Sequence, residues 1–293
     1  MDLLCIVGPT AVGKTKLSLA LAKAFDAEII SGDAMQFYRG MDIGTAKATN
    51  QERAMVKHHL LDILNVTDNY SVVDYQHQVR QTINDIHEAG KLPILVGGSG
   101  LYIQSVIENY KFHGDQRKDT DNENLPLKDL QEKLKEKNPK LYDAVDIFNR
   151  RRVLRALEKD DKDLQEQTKP YYDDVLIIGL RTDRETLYER INQRVLDMMD
   201  QGLLNEAKAL YDLGIDSQAT KAIGYKELYL YFDGDITLDE AIQMIQKHSR
   251  HYAKRQMTWF RNKMDVTWFD VDLDDFDRTI DQVIEHIKKA HQV

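Results

Sequence analysis

Short apolar runs alternate with helix-like patterns over the N-terminal third of the chain. Residues 3–7, 27–30 and 92–96 are rich in apolar side chains and have the length of buried strands. Apolar residues recur every three or four positions over residues 16–25 and 72–86, as expected of helices that bury one face. Strands that alternate with such helices are typical of a parallel sheet covered by helices, with the ligand at the carboxyl ends of the strands.

The pattern changes in the middle of the chain. Residues 113–124 are polar and charged, and the helical patterns that follow have no strand between them. A strand-like run returns at residues 175–180, and a capping box at Thr237 predicts the start of a long helix. We therefore predict an α/β fold with a small all-helical insertion domain. Its segments are a core over residues 1–112, the insertion over residues 113–173 and a second part of the core over residues 174–293.

The loop after the first strand carries a phosphate-binding pattern. Four residues separate Gly8 from Gly13-Lys14-Thr15, and this P-loop spacing lies between a strand and a helix, as it must. Backbone N–H groups of such a loop surround a phosphate, Lys14 supplies a positive charge, and the Thr15 hydroxyl can ligate Mg²⁺. A Gly-rich turn without a ligand is the less favoured alternative. The pattern predicts a P-loop NTPase-like sheet and diphosphate or nucleotide binding by Gly8, Pro9, Thr10, Ala11, Val12, Gly13, Lys14 and Thr15.

A P-loop does not identify its ligand, because it recognises phosphates by geometry and charge. Ordinary NTPases carry an Asp at the end of a nearby strand to help hold Mg²⁺, but residues 92–96 lead into Gly97-Gly98-Ser99. ATP hydrolysis is therefore not favoured, and ATP binding stays open. Asp33 follows the second strand and is expected at the same sheet edge as the loop. It could act as a base for an acceptor, or cap a turn and order a water on Mg²⁺.

The charge distribution suggests an RNA partner despite a formal net charge of −9. Residues 244–263 contain six Lys or Arg, two His and no Asp or Glu, with aromatic residues interleaved, and Arg150-Arg151-Arg152 with Arg155 form a second cluster. Such segments offer phosphate contacts and stacking surfaces. The alternative is solvated helix faces that pair with the acidic residues 270–277. Two clusters beside a P-loop favour RNA, because a local basic footprint decides binding.

Three further expectations follow from composition and spacing. Arg190 and Arg194 share one helix face, from which they could reach the phosphate ligand or remain surface charges. The single cysteine, Cys5, cannot form an internal disulfide, and no apolar run approaches the ~20 residues that span a bilayer. We expect a cytoplasmic monomer without a membrane segment.

Several motifs together resemble the bacterial tRNA dimethylallyltransferase (tRNA isopentenyltransferase) family, in that family's order and over nearly the whole chain. They are the P-loop, Ile30-Ser31-Gly32-Asp33-Ala34-Met35-Gln36, Gly40-Met41-Asp42-Ile43-Gly44-Thr45-Ala46-Lys47, His59-Leu60-Leu61-Asp62, Gly97-Gly98-Ser99-Gly100-Leu101-Tyr102, Arg155-Ala156-Leu157-Glu158, Ala222-Ile223-Gly224-Tyr225 and Tyr252-Ala253-Lys254-Arg255-Gln256. Four residues depart from the family's usual pattern: Ala34 replaces a common Ser, Ser99 a common Thr, Asn149 a frequent Asp and His251 a frequent Arg.

The resemblance implies transfer of a dimethylallyl group from dimethylallyl diphosphate to N6 of the adenosine 3′ to the anticodon in tRNA. Lys14, Thr15 and Arg194 would hold the pyrophosphate with Mg²⁺, and Asp33 would accept the proton. The family's contacts to the tRNA anticodon stem-loop map to Asp33, Ala34, Met35, Gln36, Ser99, Arg151, Arg152, Arg155, Lys221, Gly224, Tyr225, Lys254, Arg255 and Gln256. The alternatives are a P-loop kinase of a nucleotide or small metabolite, and an RNA-binding module whose P-loop only senses nucleotide.

Overall fold

The protein is described by a computed structural model that covers residues 1–109, 122, 124–158 and 169–291. The chain divides into a core unit, Met1–Ile107 with Tyr171–Val293, and an insertion unit, Glu108–Pro170. The predicted boundary at residues 112 and 113 lies outside the described residues. The chain re-enters the core unit at Tyr171, slightly before the predicted residue 174. No helix in the described ranges is both long enough and apolar enough to cross a membrane.

The core unit contains a six-stranded sheet in which every pairing is parallel. The strands are β1 (Leu3–Val7), β2 (Ala27–Ser31), β3 (His58–His59), β4 (Leu92–Gly97), β5 (Val175–Arg181) and β6 (Thr267–Asp270). Their order is β3-β2-β4-β1-β5-β6, so the strand that precedes the P-loop lies between β4 and β5. This arrangement confirms the predicted fold class.

Helices surround the sheet and also form the insertion unit. They are α1 (Lys14–Ala24), α2 (Asn50–Met55), α3 (Val72–Glu88), α4 (Gly100–Ile107), α5 (Leu127–Lys137), α6 (Pro139–Ala144), α7 (Arg150–Glu158), α8 (Arg184–Asp200), α9 (Leu203–Asp212), α10 (Tyr225–Phe232), α11 (Leu238–Lys263) and α12 (Phe276–His291). The long helix α11 begins at its predicted capping box, in which the Glu240 N–H donates to Thr237 Oγ1 at 3.3 Å.

Alternate residues of β1 pack into two apolar layers on opposite faces of the sheet. Leu3, Cys5 and Val7 join a cluster that includes residues of α3 and α11. Leu4 and Ile6 instead join a cluster with residues of α1 and α12. Because both faces are covered, the whole strand is apolar and fully buried, and this explains the unbroken apolar run in the sequence.

Glu28 in β2 is a buried carboxylate that lies beside two lysines and a histidine. It accepts hydrogen bonds from His59 at 2.7 Å and from Lys91 at 3.1 Å, and forms an ion pair with Lys57 at 3.1 Å. Burial favours the protonated acid, but these hydrogen bonds together lower the pKa of Glu28 to about 2. The ionised carboxylate therefore stabilises the fold.

We expect Glu28→Gln to remove a pH-dependent part of the stability. The folded pKa lies below the unfolded value, so the stabilisation is complete above about pH 5 and is lost as the pH falls towards 2. The difference between the folded and unfolded pKa of Glu28 corresponds to roughly 3 kcal/mol of unfolding free energy at most. Urea unfolding of wild type and Glu28→Gln between pH 3 and 7 measures this contribution. The difference between their unfolding free energies should become smaller as the pH falls. A gap independent of pH would show that Glu28 acts by packing alone.

The insertion unit has its own small apolar core. Leu130 and Leu134 of α5 pack against Val153 and Leu157 of α7, with Leu141 of α6 beside them. The opposite face of α7 is charged and solvent-exposed, and it carries the predicted RNA contacts Arg151, Arg152 and Arg155.

Candidate active site

Three loops meet at the carboxyl edge of the sheet. The P-loop follows β1, residues 32–36 follow β2, and Gly98-Ser99 follow β4, which lies between the other two strands. The Gly32 N–H donates to the Val96 carbonyl at 2.7 Å, and the Ala34 N–H donates to Ser99 Oγ at 3.3 Å. The strand order therefore brings together the predicted phosphate loop and the predicted acid, Asp33.

A glycine determines the backbone conformation of the P-loop, and helix α12 packs against it. Gly13 has φ 105°, in the left-handed region, and a Cβ there would lie 2.4 Å from the Phe276 ring of α12. The Lys14 ammonium donates to the carbonyls of Gly8 at 3.0 Å and Pro9 at 2.7 Å. The Thr15 residue is exposed at the start of α1. A side chain at position 13 would displace the Phe276 ring that packs against Gly13. The sequence pattern alone did not reveal this role of Phe276.

Two cations and one carboxylate share this partly buried region. Burial lowers the pKa of Lys14 to about 7, with the positive charge of Arg194 acting in the same direction and Asp33 opposing both. Burial raises the pKa of Asp33, although the Met35 N–H, 3.1 Å from Oδ1, and the charges of Lys14 and Arg194 favour its ionised form. The site thus combines cations suited to an anion with a carboxylate that is more basic than usual.

Arg190 and Arg194 of α8 have different environments. Arg194 is partly buried and interacts with both Asp33 and Lys14. Arg190 is exposed, and its Nε donates to the P-loop carbonyl of Ala11 at 2.9 Å. Arg194 is therefore the one of the pair whose charge acts within the site, and Arg190 supports the loop backbone.

Gln256 joins two of the three loops. Its Oε1 accepts from the Thr10 N–H and its Nε2 donates to the Gly98 carbonyl, both at 3.0 Å, and the residue is 4% exposed. One turn earlier on α11, the Tyr252 hydroxyl lies close enough to the side chains of Ser99 and Gln256 for both to favour its ionised form. Burial and the negative charge of Asp33 raise the pKa of Tyr252 to about 12. In this structure Gln256 braces the site, and its side chain is buried.

We expect Gln256→Ala to loosen the P-loop. The substitution leaves the Thr10 N–H and the Gly98 carbonyl without partners, a cost of about 1–3 kcal/mol. Thermal unfolding should show this loss, and calorimetry should show about tenfold weaker binding of inorganic pyrophosphate. Gln243→Ala is the matched control, because Gln243 is an exposed glutamine of the same helix. Equal pyrophosphate affinity for the two variants would contradict the bracing role.

Glu206 fixes the loop that contains the Gly40–Lys47 motif. Its carboxylate accepts from the N–H groups of Asp42, Ile43 and Gly44 at 2.8–2.9 Å, and from the Tyr225 hydroxyl at 2.7 Å. That loop in turn orients Gln36, whose amide donates to the Thr45 carbonyl at 3.2 Å. Tyr225 is fully buried, so its side chain supports the loop.

The predicted basic face of α11 is open to solvent. Lys254 and Arg255 are exposed, and neither has a carboxylate partner within the described part of the chain. Three of the acidic residues 270–277 have other cationic partners, since Asp270 binds Arg181 at 2.8 Å, Asp272 lies 3.8 Å from Arg278, and Asp277 lies 3.0 Å from Lys16. The predicted contacts near α10 differ: Lys221 is exposed and pairs with Asp216 at 2.7 Å, whereas Gly224 is buried.

One local sequence pattern points to a ligand that the fold does not support. Residues 262–265 have the Asn-Lys-x-Asp spacing that GTP-binding switch proteins use for guanine. They comprise the last two residues of α11 and the two that follow, just before β6 begins at the amino edge of the parallel sheet. The P-loop lies at the carboxyl edge, so these residues cannot complete a guanine site with it.

The protein side chains at this site suit a metal ion that is coordinated mainly by the bound diphosphate and water. No group of three or more His, Cys, Asp or Glu positioned to hold a metal occurs within residues 1–109, 122, 124–158 and 169–291. The Thr15 hydroxyl at the P-loop is an oxygen donor, and Mg²⁺ at phosphate sites takes most of its ligands from phosphate and water. The residues present therefore fit Mg²⁺ bound together with a diphosphate.

Comparisons with known proteins agree with one another. The sequence matches the IPP transferase family over residues 36–263. It is 52% identical over 281 residues to the tRNA dimethylallyltransferase of Bacillus subtilis (strain 168), across 91% of this chain and 90% of the relative. The full-length tRNA isopentenylpyrophosphate transferase of Bacillus halodurans superposes with TM-score 0.76 at 48% identity, covering 98% of this chain and 95% of that chain. The structure of a eukaryotic dimethylallyltransferase acting on tRNA superposes with TM-score 0.84 at 28% identity, covering 96% of this chain and 77% of that chain.

Proposed function

Because the chain belongs to the IPP transferase family, we propose that it transfers a dimethylallyl group from dimethylallyl diphosphate to N6 of the adenosine 3′ of the anticodon in tRNA. It is a prenyltransferase enzyme, and the tRNA anticodon stem-loop is its macromolecular substrate. The observation that carries the chemistry is the joint placement of Lys14, Arg194 and Asp33 in one partly buried site. We propose that it acts as a monomer in the cytoplasm.

The P-loop side of the site binds the diphosphate. Backbone N–H groups of residues 11–15 and the cations of Lys14 and Arg194 are suited to its negative charge. Thr15 would hold Mg²⁺, which when bound neutralises charge on the pyrophosphate as it leaves. Because Gln256 and Arg190 contact the loop at Thr10 and Ala11, the cradle is preorganised for this charge.

Asp33 acts on the acceptor side. The exocyclic amine of adenine is a weak nucleophile, and a carboxylate that orients it and takes its proton assists the attack. The N6–carbon bond forms as the carbon–oxygen bond to the diphosphate breaks. The amine proton passes to Asp33, and the bonding electron pair leaves with pyrophosphate. The raised pKa of Asp33 makes this transfer more favourable than it would be for an exposed aspartate.

The remaining predicted contacts are assigned to RNA by exposure and charge. Residues 34–36 and Ser99 border Asp33 and would contact the target base after it leaves the stack. Exposed cations supply the phosphate contacts; these are Arg151, Arg152, Arg155, Lys221, Lys254 and Arg255. Gly224, Tyr225 and Gln256 are buried, so we assign them to the scaffold that positions the other groups.

Incubation with dimethylallyl diphosphate, Mg²⁺ and an anticodon stem-loop tests the proposal. The mass of the RNA should rise by one dimethylallyl group. A parallel reaction with ATP addresses the kinase alternative, since a kinase would transfer a γ-phosphoryl group to a small acceptor and leave the RNA unchanged. RNA of unchanged mass together with ATP consumption would reject the prenyltransferase, and binding without any turnover would indicate an RNA-binding module.

A further inference from the structure

An aromatic ring projects into solvent at the start of the arginine-rich helix of the insertion unit. Phe148 is 81% exposed, more than any other large hydrophobic side chain in the described ranges. The adjacent Ile147 packs against the apolar core of the unit, whereas Phe148 does not contribute to it. The Phe148 N–H donates to Asp146 Oδ1 at 3.2 Å. The backbone turn is therefore fixed, and it directs the ring away from the core.

Three exposed arginines follow this ring along the chain. Arg151 and Arg152 follow within one helical turn, Arg155 follows one turn later, and all three are exposed. The nearest acid in the sequence is Asp146, which lies 3.7 Å from Arg152. The buried side of the same helix is filled by Val153 and Leu157. The exposed side therefore combines one flat apolar ring with several cationic side chains, and the ring takes no part in the apolar core that the described residues of the unit form.

We propose that Phe148 stacks on an unpaired base of the anticodon stem-loop while the neighbouring arginines contact the phosphates on either side. The identity of the RNA rests on the proposed function. A ring can reach the face of a base only where the strand is unpaired, and this favours the loop over the stem. The cores of protein interfaces are depleted in charged residues. A single ring among three cations therefore fits RNA better than a protein partner.

Two substitutions and a matched control test this contact. Phe148→Ala should weaken binding of the anticodon stem-loop by about five- to hundredfold, because one base–aromatic stack is lost. The salt dependence of binding should keep its slope, because the ring neutralises no phosphate. Leu213→Ala, at another exposed apolar residue (62% exposed), should bind like the wild type. Since Phe148 and Leu213 lie outside the cores, both variants should fold.

Phe148→Trp supplies a direct spectroscopic readout. The indole should retain binding, and stem-loop RNA should quench its fluorescence beyond the change that the two native tryptophans show in the wild type. A blunt duplex without unpaired bases should bind wild type and Phe148→Ala equally. The assay thus separates stacking from general attraction to phosphate.

Several results would overturn the inference. One is that Phe148→Ala binds the stem-loop with the affinity of the wild type. Another is that Phe148→Ala loses as much affinity for the blunt duplex as for the stem-loop. A wild-type dimer that becomes monomeric in Phe148→Ala without RNA would assign the ring to self-association. If the wild type modifies the stem-loop and only the Phe148 results fail, the proposed function stands and the stacking contact is wrong. If the wild type neither binds nor modifies the stem-loop, both are wrong.

Discussion

Asp33→Asn is expected to lower kcat for dimethylallyl transfer by about 10³-fold, within the range that a general base contributes. Asparagine keeps the size of the side chain and an oxygen that can accept from the Met35 N–H. It cannot take the amine proton. The diphosphate should bind with nearly unchanged affinity, because the cations of the P-loop side remain.

The pH dependence and the stability of this variant provide two controls. The wild-type kcat should fall as the pH drops through the pKa of Asp33, which lies above the ordinary value because the group is buried, and Asp33→Asn should lack this limb. A carboxyl with a raised folded pKa costs stability once it is ionised, so the variant should unfold at an equal or higher temperature at neutral pH. Full activity in Asp33→Asn would contradict the proton-acceptor role, and a lower unfolding temperature would contradict the raised pKa of Asp33.

Lys14→Ala is expected to reduce kcat by about 10²- to 10³-fold, comparable to the loss of one preorganised group that stabilises developing negative charge. The KM for dimethylallyl diphosphate should also rise, because in the proposed reaction Lys14 contacts the diphosphate both before and during the transfer. Lys16→Ala is the matched control. Lys16 is an exposed lysine on the same helix that pairs with Asp277 at 3.0 Å, and its loss should leave both constants nearly unchanged.

The lowered pKa of Lys14 makes a second prediction about ligand binding. Because this pKa is about 7 without ligand, a diphosphate should raise it and draw a proton from solution at pH 8. Calorimetry in buffers of different ionisation enthalpy measures this uptake. Wild type should take up protons on binding pyrophosphate, and Lys14→Ala should take up fewer. Identical uptake by both proteins would assign the titration to another group.

The sheet and the P-loop could be predicted because their causes are local. Strand β1 is buried on both faces and must be apolar throughout, and Gly13-Lys14-Thr15 follow it directly. Asp33 could be placed at the same edge because parallel strands end together. The strand order was not available from sequence, yet the order β2-β4-β1 makes Ser99 the neighbour of both loops.

The support around the site could not be predicted, since it depends on residues far apart in the chain. Gln256 is separated from Thr10 by 246 positions, and Glu206 from Asp42 by 164. Family resemblance suggested RNA contacts at Gln256 and Tyr225, but a helix has two faces, and these residues lie on buried ones. The Asn-Lys-x-Asp motif at residues 262–265 is a matching local pattern that the fold does not use. The fold places it at the sheet edge opposite the P-loop, so it cannot contribute to that site.

In the proposed reaction, a diphosphate anchored by Lys14 presents its departing carbon to a purine amine oriented by Asp33. A single-turnover reaction with two anticodon stem-loops tests it most directly, one with adenine and one with unsubstituted purine at the acceptor position. We predict one dimethylallyl group at N6 and one pyrophosphate released per adenine-containing RNA, with no modification of the purine-containing RNA. Modification of the purine-containing RNA, or incorporation at another atom of adenine, would contradict the account.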